Sequence, residues 1–109
     1  MSYYEEKDLD RFAEIGRTKP ELFEKFTAWY DAALQEGALS KREKALIALA
    51  VAHAVQCPYC IDAHVQSCLE SGSNSEQMTE AIHVAAAIRG GASLVHGVQA
   101  LNVIKKLSM

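Results

Sequence analysis

The sequence predicts an all-α protein, and three observations support this prediction. Hydrophobic residues make up 50% of the chain, aromatic residues only 7%, and there are two prolines, a composition that favours helices over strands. Apolar residues recur at helical spacing in several segments. No segment alternates apolar and polar residues over the length of a strand. The chain has 109 residues, so we expect residues 1–109 to form a single domain.

Two helices are predicted before the central part of the chain. Residues 1–4 are expected to be a loose tail, and residues 5–15 a short helix that ends at Gly16. The second helix begins near Pro20, where a missing N–H leaves no hydrogen bond unmade, and it ends at Gly37. It presents a broad apolar face that we expect to pack in the core. That face comprises Phe23, Phe26, Trp29, Tyr30, Ala33 and Leu34.

The third helix is predicted to be central and buried. Ser40 and Glu43 have the spacing of a capping box and directly precede an apolar run. Glu43 is therefore expected to cap this helix rather than to act in catalysis. Residues 45–55 are apolar almost all round the helix, which is typical of an element with neighbours on every side.

Proline and glycine set the bounds of a fourth helix. Cys57 is expected at its N-cap and Pro58 at its first helical position. The helix runs to about Ser71, and Gly72 ends it. A turn over residues 73–75 follows.

The last part of the chain is predicted to form two further helices, which gives about six in all. The fifth covers residues 76–89, Gly90 and Gly91 break the pattern, and the sixth covers residues 92–107. Both are small, apolar and nearly without an amphipathic pattern. A lone small domain cannot bury such helices on every side, so the sequence predicts a homo-oligomer.

Thiol and imidazole groups fall on one narrow stripe of the fourth helix. At about 100° per residue, the stripe contains Cys57, Cys60, His64 and Cys68. Cys57 and Cys60 are one turn apart and can form a disulfide with little backbone movement. His64 follows Cys60 by four residues, where its imidazole can take the thiol proton. These three residues are predicted to be catalytic. His64 favours Cys60 as the attacking thiol, whereas the helix dipole favours Cys57.

Three alternatives to redox chemistry compete for this stripe. Zinc has the right ligand types, but Cys57 and Cys68 are separated by about 16 Å of helix, and zinc needs its ligands within about 2.3 Å. Two or three ligands could still bind a metal with help from His53 or another subunit, although we expect no metal site. A glutaredoxin-like module would place C-P-Y-C after a strand, and here an apolar helix precedes it. Inert packing is the expectation for Cys68 alone.

The remaining histidines point less directly to function. His53 lies one turn before Cys57 and is a candidate proton relay, although a buried, hydrogen-bonded histidine is the simpler interpretation. His83 and His96 lie in apolar helices, so we expect them to pack or to contact another subunit.

Charge and hydropathy exclude several classes of function. The net charge is −3 and the 11 basic residues are scattered, which argues against a nucleic-acid partner. The acidic N-terminus is unlike a signal peptide, and the longest apolar run is too short to span a bilayer. We therefore expect a cytoplasmic protein without a membrane partner. Three cysteines in such a chain indicate redox or metal chemistry rather than structural disulfides.

Two stretches of the chain resemble the carboxymuconolactone decarboxylase family. They are LSKREKALIALAVA followed by CPYCIDAH, and a later helix that ends near GG. The resemblance extends roughly from Leu39 to Leu101 and is similar in particular to the AhpD-like alkylhydroperoxidase branch, including short peroxidase-like members associated with arsenosugar biosynthesis. It implies an AhpD-like helical fold, a trimer or hexamer, and a dithiol peroxidase or disulfide reductase without a bound cofactor. It places Cys57, Cys60 and His64 on the catalytic cysteine pair and histidine of that branch.

The chain departs from that branch at two positions. Where the branch has a proton-relaying glutamate, twelve residues before the first cysteine, this sequence has Ala45. Where the branch has a histidine between the two cysteines, this sequence has Tyr59. We expect His53, Tyr59 or a group from another subunit to complete the proton relay.

The sequence therefore predicts a thiol-dependent peroxidase or disulfide oxidoreductase. His64 accepts the proton of Cys60, Cys60 attacks a peroxide, Cys57 resolves the product as a disulfide, and a dithiol reductant restores both thiols. The alternative from a different class is a non-catalytic oligomeric protein that binds an arsenical, a metal or a small ligand through the vicinal cysteines.

Overall fold

The computed structural model describes residues 5–109, except for the side chain of Glu6, and in this part of the chain it consists of helices joined by short turns and loops. The residues predicted to form a loose tail, 1–4, lie outside the described residues. A 3-10 helix is followed by four α-helices rather than five. The elements are the 3-10 helix (Glu6–Arg17), α1 (Pro20–Leu34), α2 (Lys41–Ala54), α3 (Pro58–Glu70) and α4 (Ser75–Leu107). The prediction of an all-α fold is confirmed.

The N-terminal helices pack on each other more than on the rest of the molecule. The 3-10 helix contacts α1, which touches α2 only lightly. Phe12 meets Phe23 edge to face, with ring centroids 5.3 Å apart. Gly16 is buried against the Phe23 ring, which leaves no room for a Cβ. α1 has no buried residue, so the expectation that its aromatic face packs in the core is wrong. The helix lies at the edge of the bundle, and Trp29 is exposed.

α2 is the central helix, as predicted, and contacts both α3 and α4. It is not buried on every side within this chain, because Ile47 and Val51 are exposed. The Ser40 hydroxyl accepts a hydrogen bond from the Glu43 N–H at 3.0 Å, and the Glu43 carboxylate accepts one from the Ser40 N–H at 2.8 Å. These bonds lower the pKa of Glu43 and confirm its prediction as a cap. Around α2 lies a small apolar core. Its described members are Ala45, Leu49, Ala52, Cys68, Met78 and Ala85.

Two corners join the last three helices. At the first corner, between α2 and α3, the Cys57 N–H donates to the Ala52 carbonyl at 3.1 Å, and the Gln56 N–H donates to the His53 carbonyl at 3.2 Å. The backbone of Gln56 is in the left-handed conformation, with a φ of 56°. This pair of bonds is a Schellman motif, which closes a helix through one left-handed residue.

The second corner, between α3 and α4, repeats the motif with glycine. The Ser73 N–H donates to the Cys68 carbonyl at 2.9 Å, and the Gly72 N–H donates to the Leu69 carbonyl at 3.1 Å. Gly72 has a φ of 88°, which glycine adopts without steric cost. Gly72 therefore ends α3 as predicted, and Asn74 caps α4.

α4 is a single helix of 33 residues, and the predicted break at Gly90 and Gly91 is wrong. Glycine in a helix costs about 1 kcal/mol relative to alanine, and the good helix formers on both sides outweigh this cost. Beyond Ala85 the whole helix is exposed. No helix in the described part of the chain has both the length and the apolar composition needed to cross a bilayer.

Candidate redox site

A disulfide between Cys57 and Cys60 lies at the amino end of α3. Their Cα atoms are 5.2 Å apart, which confirms the prediction that the two cysteines are close enough to bond. Both side chains are half-buried. Cys57 is the N-cap of α3, and its Sγ accepts a hydrogen bond from the Cys60 N–H at 3.2 Å. A backbone N–H and the positive end of a helix dipole both stabilise a thiolate. Cys57 is therefore placed to ionise once the disulfide is reduced.

The backbone that carries the disulfide is held by three helices. The Cys57 N–H closes α2 through the Ala52 carbonyl, while its Sγ opens α3. Arg89 of α4 donates from Nη1 to the Ala54 carbonyl at 2.8 Å. The guanidinium fixes the last turn of α2 and offsets the partial negative charge at this helix end. The position of the sulfur pair therefore depends on α2, α3 and α4 together.

His64 lies one turn after Cys60 on α3, but its hydrogen bond goes to another helix. The side chain is only 8% exposed, and its Nε2 lies 2.9 Å from the hydroxyl of Tyr30. Burial lowers the pKa of His64, so the imidazole is neutral near pH 7 and can accept a proton. Within the described part of the chain, no hydrogen bond joins His64 to either sulfur. If His64 acts as the base for Cys60, it must therefore use Nδ1, the ring nitrogen that is not hydrogen-bonded to Tyr30.

Tyr30 is a site residue that sequence reasoning does not find. As part of the aromatic face of α1 it is predicted only to pack, and it is 34 residues from His64 in the chain. The two rings are stacked with centroids 6.3 Å apart. One signal was available, because a tyrosine among phenylalanines and a tryptophan brings a hydroxyl that needs a partner. Burial and the neighbouring Asp31 raise the pKa of Tyr30, so its hydroxyl stays neutral.

The two candidate relay residues lie on either side of the first corner. His53, on the last turn of α2, is half-buried, and its Nδ1–H donates to the Leu49 carbonyl at 2.9 Å. That bond leaves its Nε2 as an acceptor. Tyr59 follows Pro58 in the first turn of α3 and is half-buried. The relay role of His53 and Tyr59 stays a prediction.

The far end of the cysteine stripe belongs to the core. Cys68 is 0% exposed, and burial raises the pKa of its thiol, so the expectation that it packs is confirmed. Among the described side chains, no three His, Cys, Asp or Glu residues are grouped closely enough to hold a metal ion. His83 and His96 are exposed on α4, and their contact with another subunit stays a prediction.

Comparisons with known proteins agree with this geometry. The sequence profile of the carboxymuconolactone decarboxylase family matches residues 20–102. A protein of Paracoccus denitrificans, named uncharacterized protein 4 in cox locus, is 43% identical over 94 residues, which cover 86% of this chain and 85% of that protein. The family match extends over α1, the disulfide, α2, α3 and most of α4.

Solved structures share the fold. A carboxymuconolactone decarboxylase family protein from Legionella pneumophila superposes with a TM-score of 0.71 at 35% identity, covering 95% of this chain and 94% of that chain. A family protein from Thermotoga maritima superposes with a TM-score of 0.60 at 25% identity, covering 78% and 88%. A role in antioxidative response has been suggested for the Thermotoga protein.

Proposed function

The chain belongs to the carboxymuconolactone decarboxylase family, and on that premise we propose that it is a thiol-dependent oxidoreductase that reduces peroxides through Cys57 and Cys60. One observation supports the proposal above all. The two cysteines are joined at the amino end of a helix, half-buried, with the Cys60 N–H on the Cys57 Sγ. The antioxidative role suggested for the Thermotoga relative points to the same chemistry.

The cycle begins with the reduced chain. His64 takes the proton of Cys60, and the thiolate attacks a peroxide oxygen. The O–O bond breaks, Cys60 becomes a sulfenic acid, and the leaving alkoxide or hydroxide receives the proton from His64. The Cys57 thiolate then attacks the Cys60 sulfur, the S–O bond breaks, and water leaves with a proton from solvent. A dithiol reductant supplies two electrons and restores both thiols through a mixed disulfide. The N-cap hydrogen bond at Cys57 favours the thiolate that the resolving step needs.

Thiol counting tests this proposal. Reduced protein is mixed with limiting hydrogen peroxide, and free thiols are counted by alkylation and intact mass. We expect rapid loss of two thiols per oxidised chain and, after digestion, a link between Cys57 and Cys60. If all three cysteines stayed reduced, at a rate no better than free cysteine, the peroxidase proposal would fail.

Single variants separate the roles of the thiols. In Cys57→Ser, Cys60 should stop at the sulfenic acid, which a dimedone adduct would reveal. Cys60→Ser should react no faster than free cysteine. Cys68→Ala, in the core, is the matched control and should keep the reaction. A dimedone adduct on Cys57 in Cys60→Ser, formed at the wild-type rate, would reverse the order of attack.

One observation favours a second function, the binding of an arsenical, a soft metal or a thiol-reactive ligand without turnover. Ala45, where the peroxidase branch that the sequence resembles has a relay glutamate, is only 6% exposed, and it brings no carboxylate to the site. Two thiolates one helical turn apart suit a soft ion. Binding of arsenite by the reduced chain at one equivalent, lost in Cys57→Ser, together with no peroxide reaction, would support this function.

We further propose that the chain acts in the cytoplasm as a homo-oligomer, a trimer or hexamer, and that α4 forms the contacts. The accessible area of the isolated chain is 8723 Å², whereas a compact monomer of this mass exposes about 6,000 Å². The radius of gyration is 18.8 Å, compared with about 13 Å for a compact domain of this length. The excess area is several times the roughly 800 Å² per partner of a standard interface.

A stripe on α4 suits contact with further copies of the chain. Its members recur at alternating spacings of four and three residues, which is typical of a helix that packs along another helix. They are Gly90, Leu94, Gly97, Leu101 and Ile104. Leu94 and Leu101 are 82% and 64% exposed. Leu101→Glu should reduce the mass measured by light scattering, whereas Lys106→Glu, on the opposite side of the helix, should not. A wild-type chain that is monomeric at micromolar concentration would contradict the proposal.

A further inference from the structure

The hydrogen bond between Tyr30 and His64 joins a surface helix to the interior of the redox site. Tyr30 lies on α1 and is 36% exposed, while His64 lies on α3 and is 8% exposed. Their polar atoms are 2.9 Å apart. The Tyr30 ring lies against Phe26, with centroids 5.6 Å apart, and its centroid is 6.3 Å from that of the imidazole. The hydroxyl is therefore positioned by the contact of its ring with Phe26 and by its hydrogen bond to His64.

A buried imidazole that accepts a proton needs a partner at its second nitrogen. Once Nδ1 is protonated, the ring is a cation with two N–H donors, and an unpaired donor in an apolar setting is unfavourable. Burial is the cause of the lowered pKa of His64, with no contribution from a charged group. The titratable neighbours on α3 are Cys60, one turn before, and Cys68, one turn after. From α1 the neighbour is Tyr30, and the core side chains of α2 and α4 are apolar.

We propose that Tyr30 is the positioning residue of His64, because its oxygen accepts the Nε2–H and so keeps the lone pair of Nδ1 for the thiol proton. This inference rests on the proposed thiol chemistry. When Nδ1 takes the proton of Cys60, the Tyr30 oxygen stabilises the imidazolium. When His64 gives that proton to the leaving oxygen of the peroxide, the bond at Nε2 is kept. Tyr30 is 36% exposed, so its hydroxyl can donate its own hydrogen to solvent while its oxygen accepts the Nε2–H, and a neutral phenol orients the base from the edge of the bundle.

Tyr30→Phe removes the hydroxyl and keeps both ring contacts. Trp29→Phe, at the exposed neighbouring position, is the matched control. The measurement is the second-order rate of thiol loss with hydrogen peroxide between about pH 5.5 and 9. We expect Tyr30→Phe to slow the reaction about tenfold at pH 7 and to move the rise of the rate to higher pH, because the imidazolium has lost its acceptor. Trp29→Phe should follow the wild type throughout.

The outcomes separate this inference from the proposed function. If the wild type reacts with peroxide and Tyr30→Phe has the same rates and pH profile, the positioning role is overturned and the function stands. An equal loss of rate at every pH, with an unchanged profile, would mean that Tyr30 only supports the fold. That result would also overturn the positioning role. If the wild type does not react, the proposed function fails.

A measurement on the unaltered chain tests the positioning role without turnover and without the variant. Nitrogen-15 NMR of the reduced wild-type protein near pH 7.5 reports which ring nitrogen of His64 carries the proton. We expect the Nε2–H tautomer. The Nδ1–H tautomer would show that the Tyr30 hydroxyl donates to His64 rather than accepts from it, and would overturn the inference even if Tyr30→Phe failed to fold.

Discussion

The two corners that flank α3 share the same pattern of backbone hydrogen bonds but place different residue types at the left-handed position. The first closes α2 with Gln56 at a φ of 56°, and the second closes α3 with Gly72 at a φ of 88°. A side chain in the left-handed region costs about 1–2 kcal/mol, which glycine avoids. The corner beside the disulfide is therefore the strained corner, and strain of this kind concentrates at functional sites.

The corners also differ in how their tasks are divided. At the second corner, the Ser73 N–H closes α3 and the next residue, Asn74, caps α4. At the first corner, Cys57 does both, since its N–H closes α2 and its Sγ caps α3. The sulfur cannot shift without loosening two helix ends. The first corner therefore holds a sulfur of the proposed redox pair in place, whereas the second only redirects the chain.

The largest effect is expected from replacing the two capping residues. Cys57→Ser keeps an oxygen cap but removes the sulfur, so disulfide formation with peroxide should be abolished. The free energy of unfolding of the reduced chain should stay within about 1 kcal/mol of the wild type. Asn74→Ala should do the reverse, with a loss of about 1 kcal/mol of stability and full activity. Thiol counting and urea unfolding measure the two effects, and loss of activity in Asn74→Ala would remove the distinction between the corners.

The cysteines at the two corners should also differ in reactivity. Cys57 is half-buried at a helix amino end, whereas Cys68 is fully buried and its thiol has a raised pKa. Because the thiolate is the reacting species, iodoacetamide at pH 8 should label Cys57 on the order of tenfold faster or more. Because the pKa of Cys68 is raised, its labelling should become faster only at a pH well above 8. Peptide mass spectrometry over time measures both rates, and equal labelling would show that the second corner opens in the native state.

Gly72→Ala should destabilise the second corner by about 1–2 kcal/mol. A Cβ at this position would meet no atom within 4 Å, so the loss comes from the positive φ alone. Urea unfolding of the reduced chain measures it. Gly37→Ala, where the nearest atom to the new Cβ is 3.8 Å away, is the control and should change stability by less than about 0.5 kcal/mol. Equal effects of the two variants would mean that the left-handed conformation of Gly72 is not the cause.

Gln56→Gly should give the smallest effect, with the opposite sign. It relieves the left-handed strain but gives the unfolded chain more freedom, so we expect a net gain of about 0.5 kcal/mol. The same unfolding experiment measures it. A loss of stability instead would show that the Gln56 side chain makes a contact worth more than the strain, and the first corner would then not be the strained one.

The features that the sequence predicted correctly are those set by residues close together in the chain. Ser40 and Glu43 cap α2 three residues apart, Pro58 starts α3, and Gly72 ends it. The proximity of Cys57 and Cys60 follows from helix geometry in the same way. Each of these needs only local hydrogen bonds and backbone preferences, which a short stretch of sequence contains.

The features that were missed depend on distant contacts or on a balance of small energies. The Tyr30–His64 bond spans 34 residues, and no local pattern brings those two residues together. The continuity of α4 through Gly90 and Gly91 reflects a cost of about 1 kcal/mol per glycine set against a long run of good helix formers. Gln56 gave no sign of its left-handed backbone, because that conformation is imposed by the helices on both sides.

Because α4 is one unbroken helix, it connects its exposed carboxyl half to the region beside the disulfide. Arg89 donates a hydrogen bond to the carbonyl of Ala54, three residues before Cys57. Leu94 and Leu101 lie farther along the same helix. In the proposed homo-oligomer, a neighbouring subunit packed on Leu94 and Leu101 would also restrain Arg89 and, through its hydrogen bond to Ala54, the carboxyl end of α2. If the proposed oligomer forms, dilution that separates its subunits should therefore also slow the reaction of the proposed redox pair, and thiol reactivity would then depend on protein concentration.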